Sequence, residues 1–195
     1  FTRTPRTPGS TLKPLLYALA LDRGVIGPNT VLDDLQHGPQ GIRNADHRFL
    51  GPLLPRQALA NSRNVPAVEL AQRVGLPELW ATWEDLGLHD GTQDPEHYGL
   101  GVAIGGMPVR LLDLATAYGA LANDGVLRRP TWIEGQQDPG RPVFSAASAR
   151  LVGRWLSDPV ARLPTFPRGG ATELDAPVAV KTGTSPDFRD ALAVG

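Results

Sequence analysis

The 195-residue chain contains no cysteine. Disulfide staples and thiolate metal sites are therefore excluded, and the redox compartment is left open. No stretch of 18 consecutive apolar residues occurs, so no transmembrane helix is expected within it. No signal peptide opens it. There is no Lys/Arg run either. Nineteen basic and 20 acidic residues leave a formal net charge of -1, which gives no electrostatic reason to expect nucleic acid as a partner. The four histidines, His37, His47, His89 and His97, form no H-E-x-x-H and fall in loop-like stretches, so they read as surface residues and not as metal ligands. Gly99, Gly101 and Gly105 lack the G-x-G-x-x-G spacing and follow no strand pattern, which favours a structural turn over a dinucleotide loop.

What is present suits one globular domain with a sizeable core: 41% apolar and 20% charged residues. The chain starts at Phe1 without Met and stops at Gly195, directly after a strand-like apolar run, which suggests a piece excised from something longer. Residues 1–9 are turn material. A helix pattern follows from Ser10 to Asp22, with Leu12, Leu15, Leu16, Leu19 and Ala20 on one face and Gly24 as its C-cap. Residues 26–54 read as a long surface excursion with one short strand. Residues 55–75 read as two helices broken near Asn64–Pro66, because a proline pushes the preceding backbone out of α geometry. Further helices fit 77–86, 109–123 and 145–157, the second with Leu111, Leu112, Leu114, Ala115, Tyr118 and Leu121 inward, the third with Ser145 as N-cap. Residues 177–184 read as a strand and 188–194 as its antiparallel partner. Helices dominate and strands come late, an α+β pattern.

Three short motifs occur in order. Ser10-Thr11-Leu12-Lys13 is S-x-x-K at a helix start, and a spacing of three puts both side chains on one face. A serine hydroxyl is a poor nucleophile until a base takes its proton, which a lysine with a pKa lowered by burial and positive neighbours can do. Ser62-Arg63-Asn64 is S-x-N at the helix–helix break. Its hydroxyl can relay a proton, and its amide can hold a peptide group. Lys181-Thr182-Gly183-Thr184 lies on the late strand: Lys181, Thr182 and Thr184 suit a carboxylate, and Gly183 suits close approach of a substrate backbone. Each motif alone has a bland reading, as a helix cap, a chance match and a solvated strand edge. Elsewhere, Asp33, Asp34 and Asp46 read as turn formers, Trp80 and Trp83 as core, Tyr118 as packing and Asp113 as solvated. Arg189 and Asp190 suit either a cleft wall or a salt bridge.

Together, in this order and context, the motifs resemble the S-x-x-K, S-x-N, K-T-G set of penicillin-binding proteins. TPGSTLKPLLYALALDRG, ALANSRNVPAVELAQRVG and GLGVAIGG with VRLLDLATAYGALANDG resemble the transpeptidase domain of class A high-molecular-mass members, and VAVKTGTSPDFRDALAVG resembles the 1C branch. The resemblance implies a β-lactamase/transpeptidase-like fold: a mainly antiparallel sheet flanked by helices, beside a helical lobe. Residues 1–195 would be part of such a domain, lacking flanking sheet strands and any glycosyltransferase domain.

It further implies a D,D-transpeptidase of the extracytoplasmic, periplasmic space that needs no metal or cofactor. Its partners would be peptidoglycan stem peptides ending in D-Ala-D-Ala and the β-lactams that mimic them. Membrane attachment would come only through other parts of a full-length protein. Ser10 would be the nucleophile, Lys13 the base and Ser62 the relay. Asn64 would hold the substrate amide, Lys181, Thr182 and Thr184 its carboxylate, and the N–H groups of Ser10 and Thr184 the oxyanion. A D,D-carboxypeptidase or β-lactamase-like hydrolase is the alternative, although no Glu is followed four residues later by Asn as in the E-x-x-L-N of such hydrolases. A non-catalytic β-lactam sensor is the alternative of another class.

Overall fold

The computed structural model describes residues 4–36, 41–185 and 189–195. A 3-10 turn, Gly9–Leu12, runs directly into helix α1 (Lys13–Asp22). Leu15, Leu16, Tyr17, Ala18, Leu19 and Ala20 are all buried, so α1 is enclosed on every side and has no polar face. The expected single apolar face was too narrow, because a helix that is hydrophobic all round belongs in the middle of a core. Around it pack α2 (Pro55–Ala60), α3 (Asn64–Val74), α4 (Leu76–Asp85), α6 (Leu111–Ala122) and α7 (Ala146–Leu156). A short α5 (Pro95–Tyr98) leads into a 3-10 helix, Gly99–Ile104, where the sequence suggested a turn.

The break between α2 and α3 falls at 61–63, earlier than expected. Asn64, Val65 and Pro66 form the first turn of α3. A proline is tolerated there because the first N–H groups of a helix have no partner within it. The free N–H groups of Asn64 and Val65 instead reach Asn44 Oδ1, at 2.7 and 3.3 Å. Helix α6 is also rotated from the expected face: Leu114, Ala117 and Ala120 are buried while Ala115 is exposed. Two of the buried three are alanines, which lets α6 and α7 pack closely. Ser145 caps α7 as expected, its side chain accepting from Ser148 N–H at 3.1 Å.

The described strands form three antiparallel pairs: β1 (Leu32–Asp34) with β2 (Gly51–Leu53), β3 (Val126–Leu127) with β4 (Arg141–Pro142), and β5 (Lys181–Thr184) with β6 (Ala191–Val194). The excursion 26–54 therefore carries two strands where one was expected. Strand β5 is shorter than the expected 177–184, since Pro177 has no donor and Val180 N–H goes to Leu156 O at 3.2 Å. In the β5–β6 pair Lys181 faces Val194 and Thr184 faces Ala191. Ser185 N–H to Asp190 O, 2.9 Å, and Asp190 N–H to Ser185 Oγ, 2.7 Å, continue the pairing beyond Thr184 and Ala191. Phe188, with His37, lies outside the described residues.

Candidate active site

The three motifs meet where the start of α1, the α2–α3 break and β5 converge. Backbone contact without intervening side chains joins the first of these to the third. Gly9 has φ +54, and a Cβ there would sit 2.6 Å from Thr184 O and 2.7 Å from Thr184 N. A Cβ on Gly183 would overlap Pro8 O and stand 2.7 Å from Thr11 Cγ2, and one on Gly105 would overlap Gly9 itself. Glycine is needed at all three because main chain lies directly against main chain. Gly183 was expected to admit a substrate backbone; within the protein its missing side chain admits the Pro8–Thr11 turn. Gly105 likewise has a packing reason unrelated to any dinucleotide.

Lys13 is 0% exposed. Its Nζ donates to Ser62 O at 2.6 Å and Asn64 Oδ1 at 2.7 Å, and lies 3.5 Å from Ser62 Oγ. Lys181, 2% exposed, donates from Nζ to Ser62 Oγ at 2.8 Å and to Thr182 O at 2.7 Å. The Ser62 hydroxyl thus sits between two amines. Burial, then the positive charges of Lys181 and Arg63, push Lys13 well below the ordinary lysine value, with Asp34 opposing. Burial lowers Lys181 to about 7. A neutral Lys13 has two N–H bonds and one lone pair. The two carbonyl oxygens take up both N–H bonds, so the lone pair is left for a hydroxyl proton. This is the arrangement a general base requires.

Ser10 is half-buried in the 3-10 turn one step before Lys13, and its carbonyl accepts the Lys13 N–H. Its hydroxyl is outside the hydrogen-bonded set of Lys13, Ser62, Asn64 and Lys181. Asn64, expected to hold a substrate amide, is largely committed within the protein: Oδ1 serves Lys13 and Nδ2 donates to Arg43 O at 3.0 Å. One N–H of that amide remains for a ligand. Thr182 is half-buried, Thr184 is exposed, and both flank the buried Gly183.

Several residues near the site carry roles that the sequence did not reveal. Tyr118, read as packing, donates from its hydroxyl to Thr11 O at 2.7 Å and so ties α6 to the Gly9–Leu12 turn; burial raises its pKa. Asn61 donates to Ala161 O at 2.7 Å and Leu163 O at 2.9 Å and accepts from Thr165 N at 2.9 Å, fixing one wall. Arg162, 5% exposed, donates to Leu156 O and Thr172 O, both at 2.5 Å, beside Lys181 and Thr182. Asp34 and Asp46, read as turn formers, both pair with the buried Arg63. Trp83 and Trp80 belong to the core as expected. His89 is not a plain surface residue: it stacks on Trp80 with ring centroids 3.9 Å apart. Asp190 pairs with Arg6 at 3.6 Å on the rim of a cavity of about 250 Å³ that contains no motif residue, so a salt bridge is the reading that holds.

The family description "Penicillin binding protein transpeptidase domain" matches residues 1–190. The chain belongs to this family. Penicillin-binding protein 1C of Escherichia coli K12 is 35% identical over 192 residues, covering 97% of the chain and 24% of that protein. Penicillin-binding protein 1A/1B of Bacillus subtilis is 35% identical over 207 residues, covering 97% and 22%. The chain thus spans about a quarter of the length of these curated relatives. Among solved structures, a peptidoglycan glycosyltransferase from Burkholderia ambifaria superposes with TM-score 0.75 at 25% identity, over 93% of this chain and 64% of that one. Penicillin-binding protein 1A from Haemophilus influenzae superposes with TM-score 0.78 at 20% identity, over 98% and 36%. The α+β fold and the family reading stand on these likenesses.

Proposed function

We propose that the domain is a serine D,D-transpeptidase that cross-links peptidoglycan stem peptides. The observation that carries the reading is the enclosed Lys13, whose N–H groups are spent on Ser62 O and Asn64 Oδ1, with Ser10 in the 3-10 turn that leads into the same helix. Ser10 Oγ attacks the carbonyl carbon of the penultimate D-Ala as Lys13 takes the hydroxyl proton. The C–N bond then breaks. Terminal D-Ala leaves as an amine, receiving that proton through Ser62, and an ester on Ser10 remains. An amine of a neighbouring stem peptide attacks the ester, gives up its proton by the reverse route and restores the Ser10 hydroxyl. Lys181, Thr182 and Thr184 bind the substrate carboxylate. The N–H groups of Ser10 and Thr184 hold the oxyanion, a pairing supported by the contact of Gly9 with the Thr184 backbone. β-Lactams acylate the same hydroxyl.

The chain is part of a longer protein in this reading, since its relatives are about four times as long. That protein combines transpeptidase with glycosyltransferase activity and is anchored at the extracytoplasmic face of the membrane. The test is intact mass spectrometry of the full-length protein after incubation with a penicillin. One adduct on Ser10 that is absent in Ser10→Ala supports the assignment. An adduct that persists in Ser10→Ala defeats it. Release of D-Ala with formation of a new amide to an added amine separates transfer from hydrolysis.

A further inference from the structure

The second motif contains a charged residue for which the acyl-transfer chemistry has no use. Arg63 lies between Ser62 and Asn64 and is 2% exposed. Its Nε donates to Asp34 Oδ2 at 2.8 Å, its Nη1 to Asp46 Oδ2 at 2.9 Å, and its Nη2 to Asp46 Oδ1 at 3.2 Å and to Arg48 O. Asp34, 0% exposed, accepts from Asn44 Nδ2 at 2.6 Å through its other oxygen. Asn44 Oδ1 then accepts from the N–H of Asn64 at 2.7 Å. Arg63, Asp34, Asn44 and Asn64 therefore close a ring of hydrogen bonds around the turn that presents Ser62 O and Asn64 Oδ1 to Lys13. Ser62 sits in that turn at φ +57, a conformation an L residue keeps only when its surroundings enforce it.

We propose that Arg63 is a positioning residue for acyl transfer: clamped by Asp34 and Asp46, it holds Ser62 in its left-handed conformation so that Ser62 O and Asn64 Oδ1 both meet Lys13. The forked guanidinium is essential to this role, because three separate acceptors must be engaged at once and an ammonium presents no such fork. Its charge has a second consequence. Among the described residues, the charged groups that act on Lys13 are Lys181 from β5, Arg63 from the α2–α3 break and Asp34 from β1. Arg63 holds Lys13 toward the neutral amine and also offsets Asp34, which would favour the ammonium. Loss of Arg63 acts in one direction through both.

The proposal rests on the acyl-transfer reading of Lys13, so its test carries two readouts. The first is the rate of acylation of the full-length protein by a fluorescent penicillin as a function of pH. In Arg63→Gln the rate falls on the order of 10²-fold and its rising limb, which reports neutral Lys13, moves to higher pH. In Arg63→Lys the rate falls while the limb stays near its wild-type position, since the charge is kept and the fork is lost. The second readout is hydrogen exchange of residues 58–66 by mass spectrometry, which speeds up in both variants whether or not penicillin reacts. Wild-type rate, limb and exchange in Arg63→Gln overturn the proposal. Where Arg63→Gln yields no folded protein, wild-type rate and exchange in Arg63→Lys overturn it equally. Faster exchange in the variants of a wild-type protein that no penicillin acylates leaves Arg63 as the clamp and overturns the acyl-transfer reading alone.

Discussion

Replacing Gly9 with alanine tests the backbone joint between the Gly9–Leu12 turn and β5. Gly9 adopts φ +54, and an L residue in that region costs about 1–2 kcal/mol. The added Cβ would also stand 2.6 Å from Thr184 O and 2.7 Å from Thr184 N. Both are main-chain atoms of a paired strand, so no rotamer change relieves the clash, and overpacking of this kind costs about 1–3 kcal/mol. Gly24→Ala provides the control. Gly24 has φ +65 but nothing lies within 4 Å of its would-be Cβ, so only the backbone cost of about 1–2 kcal/mol applies. For a protein of this size the melting midpoint should fall by about 10 °C in Gly9→Ala and by about 4 °C in Gly24→Ala. Relief of the clash must also move Ser10 away from Thr184. Acylation by a penicillin, measured well below the melting range, should drop on the order of 10²-fold in Gly9→Ala and be unchanged in Gly24→Ala. Equal melting of the two variants with wild-type acylation in both would refute the idea that this contact sets the site.

The buried Lys181 makes stability pH-dependent. Its folded pKa, about 7, lies below its unfolded value of about 10.4, so between these pH values the unfolded chain binds more protons and stability rises with pH. Lys13 adds to the same slope. Urea unfolding from pH 7 to 10 should show the rise, and Lys181→Met should flatten it; an unchanged slope in that variant would show that the lysine is charged where it stands. Asn61→Ala strips hydrogen bonds from the carbonyls of Ala161 and Leu163 and from Thr165 N–H, and should cost about 2–3 kcal/mol by denaturant unfolding. Proteolysis within 158–176 should accelerate with it, whereas wild-type resistance there would mean the wall is held by other contacts.

Features set by residues close in sequence were more legible than contacts between distant ones. S-x-x-K depends only on a spacing of three near a helix start, which local structure preserves, and Ser10 and Lys13 appear on adjoining turns as that spacing requires. Lys181 and Ser62 are 119 residues apart, and no periodicity reports their contact; only the resemblance to a family joined them. Asp34 looked like turn chemistry because its partners Arg63 and Asn44 come from elsewhere in the chain. Asn64–Pro66 looked like a break because the rule for residues before proline is local, whereas Asn44 caps the start of α3 from 20 residues away. Gly183 was assigned to a substrate because strand glycines often mark a close approach, and one such approach, to Pro8 and Thr11, is intramolecular. The same distance effect hid Tyr118, since a tyrosine within a strong helical period gives no sign of where its hydroxyl ends.

The joint of Gly9, Gly105 and Gly183 has a bearing on how such a site tolerates sequence change. Contacts between side chains demand matched partners, so drift on one side must be answered on the other. A joint made of main chain imposes only a prohibition, that no side chain be present. Where such a joint holds, the strand meets the Gly9–Leu12 turn at the thickness of two backbones. Geometry at such a point is specified by three absent side chains and not by matched pairs of present ones.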